Sequence, residues 1–357
     1  MKVTINGKRF EIPAGRTILQ AAQANGIYIP TLCYHEKIGA LAKCRACAVE
    51  VKGSPVLNVK GGPVLVTSCN TSVTDGMEII TDSDQAVAAQ RFVIDLALSS
   101  GNHDCMICEK SGACELQDAA YFLKFEDKDF RKGDYPANID DSSAFIRVDH
   151  NRCIMCGRCF EACNHIAVNG VIKTIDRGYT SHIGFDDNLP MGESSCVQCG
   201  ECTQVCPVGA LTAKKSIGLG RTWEVKQVRT TCPYCGVGCQ QELHVKDGRI
   251  VKVNGMEKGS PNKGRLCVKG RYGYDFIYSE DRLTVPLIKE KETFREASWD
   301  EALDLVAKKF EEIIAKHGPD AIAGVSCARS TNEDSYQMQK LFRSVLKTNN
   351  IDHCART

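Results

Sequence analysis

Cysteine is the residue that could do chemistry here: the chain holds 21 among its 357 residues. Thiolates can bind metals, pair as disulfides or act as nucleophiles. The opening MKVTINGKRFEIPAG is not a secretory signal and carries no twin-arginine pair. Disulfides are therefore a poor explanation for so many cysteines in so long a chain. Metal binding is the better one, and the spacing sorts the cysteines into groups.

Iron–sulfur clusters are usually held by four thiolates, with ligands two residues apart in a tight turn and a distant one closing the site. Cys33, Cys44, Cys47 and Cys69 are spaced C-x10-C-x2-C-x21-C. Cys105, Cys108 and Cys114 form C-x2-C-x5-C and need a fourth partner. Cys153, Cys156, Cys159 and Cys163 follow C-x2-C-x2-C-x3-C, and Cys196, Cys199, Cys202 and Cys206 repeat it, with Pro207 next. That duplicated run is the two-cluster bacterial pattern, in which the fourth cysteine of each run ligates the other cluster. Cys206 is thus expected beside Cys153, Cys156 and Cys159, and Cys163 beside Cys196, Cys199 and Cys202. Asn164, rather than proline, follows Cys163. Cys232, Cys235, Cys239 and Cys267 form C-x2-C-x3-C-x27-C. A zinc site is the rival reading for the first and last groups. Cys327 and Cys354 remain, expected as buried thiols acting as small apolar residues.

The elements that must position these groups define a multidomain α+β chain. Residues 1–80 read as a small α/β unit. Its hairpin, Val3–Ile5 with Phe10–Ile12, turns at Asn6-Gly7. A helix follows, opened by a Thr17/Gln20 capping box and closed at Gly26. Residues 81–125 read as helical, chiefly Asp84–Ser99, before the second cysteine group. Glu126–Ser143 reads as a polar linker or surface loop. Residues 144–215 hold the repeat, which suggests pseudo-twofold symmetry. In 225–285 a hairpin, Glu242–Lys246 with Arg249–Val253, turns at Asp247-Gly248. Residues 286–357 read as the start of an α/β domain. There a Ser298/Glu301 capping box opens a helix to about Lys316. Its apolar positions are Leu303, Val306, Phe310, Ile313 and Ile314. A strand, Ala321–Val325, and a helix, Glu333–Lys347, follow.

The first group, on a unit resembling a β-grasp ferredoxin, is similar to the 2Fe–2S domain shared by the large electron-transfer subunit of respiratory complex I, iron-only hydrogenases and some formate dehydrogenases. In those families a histidine completes the second group as a 4Fe–4S site. Its usual position, three residues clear of the first cysteine, is Gly101 here, so His103 is the expected ligand; imidazole suits iron. Water or a distant residue is the alternative. TCPYCGVGC with GRLCVKG resembles the 4Fe–4S domain of molybdopterin oxidoreductases, and Lys269 matches the family lysine between cluster and pterin. The resemblance gives Lys269 a catalytic and cofactor-binding role, coupling the two; the rival reading is a solvated lysine. The four-module order looks like the alpha subunit of NAD-dependent or electron-bifurcating formate dehydrogenases.

That resemblance implies one 2Fe–2S cluster, four 4Fe–4S clusters and a molybdenum or tungsten bis(molybdopterin guanine dinucleotide). Formate would give up hydride or its equivalent at that metal, yielding CO2. Electrons would leave through the cluster near Lys269 and the ferredoxin-like pair. The His-ligated and 2Fe–2S sites would be exits to partner subunits: a flavin/NAD-binding iron–sulfur subunit, a thioredoxin-like 2Fe–2S subunit, a ferredoxin or a hydrogenase. Asn349–Arg356 reads NNIDHCAR, which in formate dehydrogenases precedes the cysteine or selenocysteine that ligates the metal. The expectation is a chain cut at a UGA selenocysteine codon after Thr357. A net charge of +1 gives no sign of a nucleic-acid partner. No apolar run approaches the roughly 18 residues of a membrane span, and a cytoplasmic protein is expected. The alternative function is a free-standing multi-cluster electron-transfer subunit.

Overall fold

The computed structural model describes residues 1–52, 62–127, 130 and 138–355. They fall into two compact units: 1–226 with 244–252, and 227–243 with 253–357.

The first unit opens with a hairpin at the expected turn, its second strand starting two residues earlier than expected and ending at Glu11. Strands β1 (Lys2–Ile5) and β2 (Lys8–Glu11) pair antiparallel, Ile5 opposite Lys8. Asn6 and Gly7 both have positive φ, 47° and 77°, as a two-residue turn of this twist requires. Helix α1 (Ile18–Ala24) has both halves of the Thr17/Gln20 capping box, and Gly26 leaves it at φ 69°. Strands β3 (Ala48–Lys52), β4 (Val64–Thr67) and β5 (Glu78–Ile80) complete a sheet of order β2-β1-β5-β3-β4, with β1 and β5 parallel. This is a β-grasp. Alternate residues Val3, Ile5, Val49, Val51 and Ile79 pack on Ile18, Leu19 and Ala22 of α1. The first cysteine group thereby sits on loops anchored by one core: Cys33 and Cys44 lie between α1 and β3, Cys47 borders β3, and Cys69 follows β4.

Helix α2 (Asp84–Ser99) starts at the Ser83 cap. Its buried Gln90 donates to the Ala48 carbonyl at 2.8 Å, which ties it to β3. Cys105–Ile107 form a 3-10 turn, and α3 (Glu115–Phe122) begins directly after Cys114. Residues 128, 129 and 131–137 of the expected linker lie outside the described residues. Ile139–Asp140 of that stretch form β6, pairing with β7 (Ile146–Asp149), so this end is strand rather than loop.

The cysteine repeat is a structural repeat too. In each half a cysteine turn carries two left-handed residues: Met155 and Gly157 in one, Gln198 and Gly200 in the other, with φ of 50°, 84°, 51° and 75°. Each turn opens a short helix, α4 (Arg158–Glu161) or α5 (Glu201–Val205). Between them β8 (Ile172–Ile175) and β9 (His182–Phe185) form a hairpin. After them β10 (Leu211–Ala213) pairs antiparallel with β7.

Strands β11 (Lys226–Thr231), β12 (Gln240–Lys246) and β13 (Arg249–Gly255) form a three-stranded sheet, with the expected turn at Asp247-Gly248. In the second unit α6 (Val268–Tyr272) starts at Cys267. The strands β14 (Leu287–Glu290) and β15 (Thr293–Glu296) pair ahead of α7 (Trp299–His317). Ser298 caps α7 through the Glu301 amide, but the Glu301 carboxylate is drawn to Arg295, so the return half of the expected capping box is not made. Phe310 and Ile314 of α7 pack on Ile322, Phe342 and Leu346, while Leu303 and Val306 are exposed. The expected strand Ala321–Val325 is shorter and later, β16 (Gly324–Ser326), because Pro319–Ala321 make a 3-10 turn. The expected second helix is α8 (Asn332–Lys340), continued by a wider π-helical turn over Leu341–Leu346. Strand β17 (Ile351–His353) runs parallel to β16. No helix among the described residues is long and apolar enough to cross a membrane.

Thr17→Ala should destabilise the β-grasp module by about 1 kcal/mol, because it strips one cap from the helix that closes the core. Urea unfolding monitored by amide hydrogen exchange across α1 and its sheet would measure it. An unchanged midpoint would show that the cap contributes nothing.

Candidate metal centres

All 21 cysteines are free thiols. In the first group they come as two close pairs. Cys33 hydrogen-bonds Cys44, and Cys47 hydrogen-bonds Cys69. The thiol–thiol bond pulls Cys33 down to about 5 and Cys47 down to about 7, and pushes Cys44 and Cys69 up. Cys33 also acts on Cys47 and Cys69, so the four sulfurs share one place. Cys33, Cys44, Cys47 and Cys69 would together fit a two-iron cluster, supplying its four thiolates.

The second group lines a cavity of about 290 Å3 with His103, Cys105, Cys108 and Cys114 all on its wall. Asp104, Leu116, Tyr121 and Gly209 also border it. His103 Nε2 lies 2.9 Å from the Ala97 carbonyl. Donation from that nitrogen would orient the ring and leave Nδ1 for a metal, the usual arrangement of a ligating histidine. Gly101 could not take this part, since even a Cβ there would lie 2.0 Å from the Asn151 carbonyl oxygen. A Cβ on Gly209 would stand 2.4 Å from Cys108 Sγ, so this close approach needs glycine.

In the repeat, Cys206 lies with the first run. Its charge acts on Cys153, Cys156 and Cys159. Cys163 acts on Cys196 together with Cys199, and so lies with the second run. Cys202 reaches Cys159, so the two groups are near neighbours. Burial pushes the thiols up: Cys153 to about 11, Cys156 to about 12 and Cys159 well above its ordinary value. Backbone amides oppose this by pointing at sulfur. Gln198 N–H donates to Cys196 at 3.4 Å, and the Met155 and Arg158 amides serve Cys153 and Cys156. Donors aimed at sulfur are the groups by which a protein sets cluster potential.

In the second unit, Cys235 and Cys267 act on both Cys232 and Cys239, so the fourth group also converges. The Cys232 amide donates to the Cys239 carbonyl at 2.8 Å and closes the loop between them. Lys269 stands exposed on the first turn of α6, two residues beyond Cys267. Cys327 and Cys354 correct the expectation of buried thiols. Cys327 is half-buried and Cys354 exposed, because both lie just past the paired ends of β16 and β17, with sulfurs 3.5 Å apart.

Among the described residues, no three His, Cys, Asp or Glu side chains crowd one point as they would around a single ion. Sets of four thiolates, or three with an imidazole, suit an iron–sulfur cluster. Sequence reasoning passed over two ion pairs beside these sites, each with one buried member: Arg158 with Glu115 and Glu201 with Lys37. The signal was the repeat itself, which reads CGRC in one half and CGEC in the other.

Cys206→Ser should perturb the paramagnetic signal of the cluster held by Cys153, Cys156 and Cys159 and spare that held by Cys196, Cys199 and Cys202. Electron paramagnetic resonance of the reduced protein would test it; the reverse pattern would rule out the crossed ligation. Gly209→Ala should displace Cys108 and abolish the His103-side signal, with the other signals kept.

Family models match in an unbroken order. They are a 2Fe–2S iron–sulfur cluster binding domain over 1–84, the NADH-ubiquinone oxidoreductase-G iron–sulfur binding region over 90–129 and a 4Fe–4S dicluster domain over 149–210. The molybdopterin oxidoreductase Fe4S4 domain over 225–279 and the molybdopterin oxidoreductase domain over 282–357 follow. The NADPH–Fe(3+) oxidoreductase subunit alpha of Geobacter sulfurreducens is 36% identical over 100% of this chain and 40% of its own length. A Staphylococcus aureus protein provisionally named formate dehydrogenase is 34% identical over 99% of this chain and 39% of its own length. The chain thus spans about two-fifths of the curated relatives it matches. A chain of the NAD+-reducing [NiFe]-hydrogenase superposes with a TM-score of 0.54 at 29% identity, covering 61% of this chain and 89% of that one. Three iron–sulfur modules thus lead, in this chain, into two stretches that match molybdopterin oxidoreductase domains.

Proposed function

We propose that this chain is the electron-transfer portion of a formate dehydrogenase, holding one 2Fe–2S and four 4Fe–4S clusters that serve a molybdenum or tungsten pterin centre. The observation that carries the cluster reading is the convergence of each cysteine group, including the exchange of Cys206 and Cys163 between the two runs. Formate is supported by NNIDHCAR at Asn349–Arg356, of which Arg356 lies outside the described residues, and by relatives named for that activity. When bound, the clusters would carry single electrons, and the pterin-held metal would take the two electrons released as formate becomes CO2.

The chain's own residues have definite parts in this reading. Nineteen cysteines and His103 hold iron. Buried thiols favour their protons, as the upward shifts of Cys156 and Cys159 show, so iron binding must release those protons. Amide N–H groups at the cysteine turns then stabilise the thiolate charge. Lys269, exposed beside Cys267, would offer its ammonium to the pterin. Partner subunits binding flavin and NAD would take the electrons; the match to the NADH-ubiquinone oxidoreductase-G region supports them. The Geobacter relative favours a second reading, in which the same wire serves NADPH-linked iron reduction.

Anaerobically purified residues 1–357 should carry about 18 iron atoms, from one two-iron and four four-iron clusters. They should not reduce a dye with formate, whereas the full-length protein should. Formate-driven bleaching of the iron–sulfur absorbance in the full-length protein is the decisive measurement. Bleaching by NADPH alone would discard formate in favour of the second reading.

A further inference from the structure

The two halves of the cysteine repeat differ in charge at one buried position. Arg158 stands between Cys156 and Cys159, directly after Gly157; Glu201 stands between Cys199 and Cys202, directly after Gly200. Both glycines are left-handed, so the two side chains leave equivalent turns. The Arg158 side chain is 1% exposed and that of Glu201 is 3%. One repeat therefore buries a positive charge beside its cluster loop, and the other a negative one.

Each charge is fixed by a partner from another module. Arg158 forks onto Glu115, with Nη1 2.6 Å from Oε1 and Nη2 on Oε2. Glu115 is the residue after Cys114 and opens α3. Its side chain is 40% exposed, so water screens it more than the arginine. Glu201 accepts from Lys37, which lies in the loop between Cys33 and Cys44. All four charges act on His35. Arg158 Nε–H is buried without a hydrogen-bond partner among the described residues. The guanidinium feels the charges of Cys156 and Cys206, and it acts on Cys33. It lies where it can bias the Cys153-side cluster and the 2Fe–2S site together.

We propose that Arg158 and Glu201 are positioning residues that make the two ferredoxin-type clusters electrically unequal, Arg158 favouring reduction of the cluster held by Cys153, Cys156, Cys159 and Cys206, and Glu201 disfavouring reduction of the other. A cluster gains one negative charge on reduction, so a buried cation beside it stabilises the reduced form and a buried anion opposes it. Coulomb energy falls with distance and with screening, so the charge within each cysteine turn outweighs its more distant partner. The ion pairs also lock the 2Fe–2S loop and α3 against the repeat. The same groups thus fix where the sites stand and how they rank as electron acceptors.

The inference rests on the cluster reading above. The test is a redox titration followed by electron paramagnetic resonance on the anaerobic holoprotein, with the two signals assigned through Cys206→Ser and Cys163→Ser. Arg158→Gln should lower the equilibrium constant for one-electron reduction of the Cys153-side cluster about tenfold, a shift of 59 mV for one electron. Glu201→Gln should raise that of the other cluster by about the same factor. Arg158→Lys, which keeps the charge, should hold the wild-type potential. If Arg158→Gln fails to take up iron, Glu115→Gln decides: it removes only the screened counter-charge and should raise the Cys153-side potential. Potentials that stay put, or move in the same direction in Arg158→Gln and Glu201→Gln at full iron content, overturn the inference alone. Wild-type protein lacking both ferredoxin-type signals would overturn the cluster reading and this inference together.

Discussion

Everything in this chain is arranged around the cost of gathering sulfur charge away from water. A thiol in a buried turn holds its proton, because the thiolate loses hydration and meets other thiolates. Cys159 shows this, with burial and four cysteines all pushing it upward. Iron repays that cost only if the sulfurs already converge. The backbone brings them together with left-handed residues such as Met155, Gly157, Gln198 and Gly200, which bend the chain tightly enough for successive cysteines to share a site. The same bends turn amide N–H groups toward sulfur. Loop conformation and electrostatic compensation are one device.

The regular elements serve these loops. In the β-grasp, a sheet of five short strands and α1 form the core, and the cysteines lie on its loops rather than within it. In the repeat α4, with its π-helical continuation over Ala162–Ile166, and the five-residue α5 are too short to be stable alone, and they start at the cysteine turns. Gly209 records how closely packed the result is, since a single added carbon would strike Cys108. If iron is held there, its binding and folding would be coupled, because cysteines take the place of a core.

Contacts between the modules of the first unit rely on charge as well as apolar area. Arg158 with Glu115, and Glu201 with Lys37, are ion pairs that join segments far apart in sequence. Breaking one member of a buried pair costs more than the pair itself contributes, which makes such contacts specific rather than merely sticky. Their partners lie next to cysteines of other groups, Glu115 directly after Cys114 and Lys37 between Cys33 and Cys44, so a change in docking is a change in electrostatic environment.

The sequence by itself determined the grouping of the cysteines, the turn of the β-grasp hairpin, the α1 capping box and the α2 bounds. Each of these depends on local spacing or local backbone preference: two residues between cysteines, Asn-Gly in a turn, Thr and Gln three apart. The sequence also assigned Cys206 and Cys163 to crossed groups, through the repeat alone. Only the tertiary structure decided the rest. It placed His103 with Cys105, Cys108 and Cys114, and it closed Gly101 to any side chain through the Asn151 carbonyl. It drew the Glu301 carboxylate away from its cap to Arg295, and it set the sulfurs of Cys327 and Cys354 3.5 Å apart at paired strand ends. It buried Arg158 and Glu201 beside partners more than 40 residues away. Those outcomes turn on which distant surfaces meet, and charge or hydrophobicity along a chain does not encode which partner a side chain will reach.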